Sequence, residues 1–170
     1  MKYKLSEVAQ IAEIIGAVAI VLSLVFVGAQ LQKNTSATKS ASAIAAANSM
    51  SQWYSNLGSS EQNSNLFRNF MANPSSMSEE QRFQVIMNFH GVMLILQNNF
   101  YLTNEGTLDA EMKDSISESI VVIKDFPGWK LYWKTRRALF LSGFQEYVDK
   151  LIKAERSVSS EIYKEVEITK

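Results

Sequence analysis

Residues Ile14 to Gln32 carry no charge and are almost all apolar. The run extends backward through Val8, Ala9, Ile11 and Ala12, broken by Gln10 and Glu13. As a helix, Val8 to Leu31 measures roughly 36 Å against roughly 30 Å of hydrocarbon in a bilayer. This segment is expected to cross a membrane once, with Glu13 near one interface, where a carboxylate still reaches water or headgroups. A buried core helix of a soluble protein is one rival, weakened because 170 residues can build a core without this segment. A cleaved signal sequence is the other, with Lys2 and Lys4 as its basic end and Val27-Gly28-Ala29 as a small-residue site. The length of the run and the acids Glu7 and Glu13 argue against it. Lys2 and Lys4 on one side balance Lys33 and Lys39 on the other, so flanking charge leaves the orientation open.

Within the run, Ala9, Ala12, Gly16, Ala19 and Ser23 recur at alternating steps of three and four. That spacing puts all five on one stripe of a helix, opposite Ile14, Val18, Val21, Leu22 and Val25. Small residues let two backbones approach closely in lipid, where association has little hydrophobic drive. The stripe is the expected oligomer interface, Gln30 extends it and Glu13 flanks it. A lone anchor without association is the plainer alternative. A ring of Glu13 side chains lining a pore in a homo-oligomer is the sharper one.

The remaining sequence is expected to be helical. Gly and Pro, at 7 and 2, are too few for an all-β chain. No cysteine is present, which excludes disulfides, thiolate metal sites and cysteine nucleophiles. The 17 basic residues balance the 17 acidic ones, against a nucleic-acid binder. Lys33 to Leu57 reads as helix, either continuous with the membrane segment or newly capped at Asn34-Thr35-Ser36. A short helix through Leu66, Phe67 and Phe70 stops at Asn73-Pro74. Ser78-Glu79-Glu80-Gln81 is a capping box opening a helix to about Leu102. Its freedom from fixed charge between Arg82 and Glu105 predicts a central helix packed on several sides. A second span is disfavoured by Gln84, Asn88, His90, Gln97, Asn98 and Asn99. Thr107 is expected to cap a helix over Leu108–Lys124, and Ser142 the last one. The organisation is thus all-α, with an N-terminal transmembrane helix over 1–34, a small soluble helical bundle over 35–155 and a flexible tail over 156–170.

Candidate chemistry is sparse. His90 is the sole histidine and lies on an apolar face, which predicts a buried side chain bonded to an Asn or to backbone. No metal-ligand spacing, Gly-x-Ser-x-Gly elbow or glycine-rich phosphate loop occurs. No catalytic residue, metal or cofactor is therefore expected, and an enzyme is the least supported class. The basic-aromatic stretch from Trp129 to Phe140 is the most suggestive soluble feature. Trp129, Lys130, Trp133, Lys134 and Arg137 suit contacts with a membrane surface. The same pattern suits rings in a core with cationic stems over it.

Two blocks also carry a resemblance. Ala12-Glu13-Ile14-Ile15-Gly16-Ala17 through Gln30-Leu31-Gln32-Lys33-Asn34-Thr35 is one. Asn99-Phe100, Gly106-x-Leu108-Asp109, Pro127-Gly128-Trp129, Trp133, Phe140, Phe144 and Tyr147-Val148-Asp149 form the other. Together they resemble a family of small, uncharacterised bacterial single-pass membrane proteins, whose pattern has Gly where Ala12 stands. The resemblance implies this architecture, and no activity. It implies a bacterial inner (plasma) membrane location with the soluble part on the cytoplasmic side. The expected partners are the lipid bilayer, further copies of the chain and other membrane proteins. The expected function is an interaction or scaffolding module, with a homo-oligomeric ion channel near Glu13 or a membrane-tethered sensory module as alternatives.

Overall fold

The computed structural model describes residues 5–155 and is all-α, with six α-helices and no strand among the described residues. The expected tail, 156–170, lies outside them. Helix α1, Leu5–Gly58, runs without a break through Asn34-Thr35-Ser36. Thr35 and Thr38 hydroxyls donate to the carbonyls of Leu31 and Asn34, one turn back, instead of capping a new helix. The chain divides into two compact units at Ala41/Ser42, later than the boundary expected after residue 34. Residues 7 to 41 are exposed, and burial along α1 begins beyond that point, with Ala46 and Met50 in the core.

In the second unit, Ser60 caps α2 (Glu61–Ala72) by accepting from the Asn63 amide. A 3-10 turn, Pro74–Ser76, leads to the Ser78/Gln81 capping box that opens α3 (Glu79–Asn104). Gly106, at φ +72°, supplies the left-handed residue that ends α3. Thr107 does not cap α4 (Ala110–Ile123). Its hydroxyl donates back to Leu102 O, and Asp109 takes the cap by accepting from the Glu111 amide at 2.9 Å. Helix α5, Pro127–Arg136, starts on a proline, whose missing N–H costs nothing at a first-turn position. A 3-10 turn, Arg137–Leu139, precedes α6, Ser142–Lys153. Leu141 occupies its cap position and Ser142 is already the first helical residue, so α6 begins one residue earlier than expected. The Leu141 amide is satisfied by Gln97 Oε1 at 2.7 Å.

The core gathers Phe70, Met93, Phe89, Trp129, Tyr132, Phe144 and Val148. Rings provide its continuity. Phe89 meets Tyr132 edge-on at 4.7 Å, Trp129 stacks on Trp133 at 5.8 Å, and Trp133 stacks on Phe140 at 5.7 Å. Helices α2 and α5 touch at Gly128, where no side chain intervenes. Lys124 is buried, and its ammonium donates to the carbonyls of Ile152 and Ala154. It thereby caps the C-terminal end of α6, where a cation also meets the negative end of the helix dipole.

Candidate functional site

The first unit offers one chemical surface. Val8, Ile11, Ile14, Val18, Leu22, Leu24, Phe26 and Leu31 are all exposed, on every side of α1. Its most apolar 18-residue window has a mean hydropathy of 2.5, and no part of that window is buried within the chain. This helix is long and apolar enough to cross a membrane. Ala9, Ala12, Gly16, Ala19 and Ser23 lie exposed along one stripe of it, with Glu13 exposed beside them. A Cβ added at Gly16 would meet nothing within 4 Å. The Ser23 hydroxyl donates to Ala19 O at 2.8 Å, so this polar group can enter hydrocarbon with its hydrogen bond already made.

The second unit corrects the expectation for α3. One broad face is core, through Val85, Phe89, Val92, Met93 and Leu96. The opposite stripe is open: Phe83, Met87, Leu94 and Tyr101 are exposed at spacings of four, seven and seven. Gly91 sits in this stripe with open space where a Cβ would stand. An apolar row at heptad spacing has the form of a helix-docking face.

The basic-aromatic stretch divides differently from the membrane-surface expectation. Trp129 and Trp133 are buried, at 1% and 7% exposure, so their rings are core and do not reach a membrane surface. Arg137 is committed elsewhere. Its Nε and terminal nitrogen donate to Asp149 Oδ2 at 3.1 and 2.7 Å, while the Trp133 indole donates to Asp149 Oδ1 at 2.9 Å. The guanidinium and indole hydrogen bonds hold the Asp149 carboxyl below its ordinary range. Gln145 closes the clamp by accepting from Arg137 and donating to Phe140 O. Lys130 and Lys134 remain exposed.

His90 is half-buried, and its Nδ1 pairs with the Tyr132 hydroxyl at 2.8 Å, neither an Asn nor backbone. Phe140 packs on the imidazole at 5.1 Å. Burial first, and the Arg136 charge second, pull His90 below the usual histidine range. Burial likewise pushes the Tyr132 phenol well above its own. The pair is therefore neutral at pH 7 and makes a structural hydrogen bond between α3 and α5. The pH effect has a definite sign. Below about pH 6.5 the unfolded chain binds the His90 proton before the folded chain does. Stability from this group is complete above that pH and is lost as pH falls through the folded value. We expect His90→Gln to flatten the decline in melting temperature between about pH 7 and pH 5. Overlapping curves for variant and parent would show that His90 does not carry it. Among the described residues, no three His, Cys, Asp or Glu side chains converge as metal ligands.

Between α1, α2, α3 and α4 the second unit holds an apolar cavity of about 280 Å³. Sequence patterning gave no sign of it, because each lining residue also reads as ordinary core. Comparison with protein-family models, curated proteins and solved structures gives no match.

Proposed function

We propose that this chain is a single-pass protein of a bacterial inner membrane that self-associates and serves as an interaction or scaffolding module, its bundle in the cytoplasm. The observation that carries the reading is the apolar surface of α1, exposed on all sides from Val8 to Leu31. Water makes such a surface costly, at about 25 cal/mol for each Å² exposed, and a bilayer removes that cost. The small-residue stripe supports self-association in lipid, and the open stripe of α3 supports docking by the bundle.

Gly16→Leu with Ala19→Leu tests the self-association. Light scattering in mild detergent, with the detergent mass subtracted, is expected to give a discrete oligomer for the parent. The double variant is expected to shift toward monomer, with helicity unchanged. An unaltered mass would remove the stripe from the interface. A sensory module is a second reading, and it requires a ligand pocket. The cavity in the bundle favours it.

A further inference from the structure

The bundle cavity combines a closed apolar floor with an open mouth. Its floor is made by Phe89, Met93 and Ile120, at 2%, 0% and 1% exposure. Tyr54, 51% exposed, and half-buried Leu57 stand at the outer end. No Asp, Glu, Lys, Arg or His lines the space. The polar groups nearest it are turned to other work. The Ser119 hydroxyl donates to Ile116 O at 2.8 Å, and the Trp53 indole donates to Asn88 Oδ1 at 3.1 Å. What remains toward the interior is hydrocarbon, ring face and thioether.

We propose that this cavity binds an alkyl chain of about eight to ten carbons, methyl end inward and a neutral polar head at the Tyr54 mouth. Size sets the length, since an apolar cavity of about 150 Å³ takes a benzene ring and this one is roughly twice as large. The blind floor selects a chain end, and flexible Met50 and Met93 side chains adapt to its bends. The uncharged lining rejects an ionised group, which would lose its hydration without gaining a partner. Such a chain reaches the site as a free medium-chain alcohol or as the tail of a membrane lipid. The inference deepens the sensory reading. Uptake is read at Trp53 and self-association by mass, so either can fail alone.

The test uses the full chain in lipid vesicles with 10-bromo-1-decanol, whose bromine quenches indole emission on contact. Trp53 lines the cavity, whereas Trp129 and Trp133 do not. Quenching is expected to saturate, to be reversed by unbrominated decanol and to lose its saturable part in Trp53→Phe. Leu96→Phe fills part of the cavity and is expected to weaken uptake about tenfold or more, as a lost methylene's space does in an apolar pocket. Ile123→Phe replaces it if Leu96→Phe melts early, and the decanol competition needs no variant. Saturable quenching by a phospholipid with brominated tails, and none by the alcohol, would assign the chain to a lipid. Quenching that rises linearly with both probes, resists competition and is unchanged in the filled variants is partition into the bilayer alone, and would overturn the proposal.

Discussion

Gly128→Ala is expected to destabilise the bundle by about 3 kcal/mol, the upper end of what overpacking a tight core contact typically costs. A Cβ at residue 128 would stand 2.8 Å from Met71 Cα and also against the Phe70 carbonyl. These are backbone atoms of α2, so no side chain can swing aside. Either α2 and α5 separate, which loosens the packing of Phe70 and Trp129, or the new methyl group remains in collision. For a domain of about a hundred residues the melting temperature should fall by roughly 10–20 °C. Gly91→Ala is the internal contrast. It lies mid-helix in α3 with nothing within 4 Å of the new Cβ, so helix propensity alone predicts a gain of up to about 1 kcal/mol. Circular dichroism melts of the two variants beside the parent measure both. A Gly128→Ala melt within a few degrees of the parent would mean that α2 and α5 do not meet backbone to backbone.

Val18→Arg with Leu22→Arg is expected to release the chain from membranes. Each arginine at the centre of a span costs about 2.5–3.5 kcal/mol on insertion, and two together exceed what a single apolar helix gains with ease. Neither position is part of the small-residue stripe, so the change leaves all five of its residues in place. Flotation on a density gradient after an alkaline wash reads the result. The parent and a Val18→Leu, Leu22→Ile control should float with lipid, and the double arginine variant should stay in the aqueous layer or aggregate. A double arginine variant that floats like the parent would remove the span from this part of α1.

Local chemistry made much of this fold legible. Ser78 and Gln81 form their capping box because both partners lie within one turn. Asn73-Pro74 stops α2, and the run from Val8 to Leu31 is too long and too uniform for a small core. The errors arose where two residues compete for one role or where a partner lies far along the chain. Thr107 and Asp109 are both good caps, and the end of α3 claims the threonine. The pattern Trp129-Lys130, Trp133-Lys134 suits a membrane surface and a core equally. The decision rests with Asp149, whose carboxylate receives the Trp133 indole from a helix further on. Lys124 is buried through Ile152, a partner 28 residues further along the chain, which no local pattern announces. The open stripe of α3 was hidden for a different reason. Between Arg82 and Glu105 no charge distinguishes the outer face from the inner one. The cavity depends on how four helices fail to fill a space, which no single segment encodes.

The central claim is that α1 spans a bilayer once, and the absence of cysteine allows a direct test. Single cysteines placed at Ala19, Val21, Val25 and Lys39 in membrane vesicles are challenged with a bulky, membrane-impermeant maleimide, before and after detergent. The account predicts that Ala19→Cys, Val21→Cys and Val25→Cys stay unlabelled until detergent is added, while Lys39→Cys reacts when its side of the membrane is exposed. Equal labelling of all four positions in intact vesicles would contradict the span.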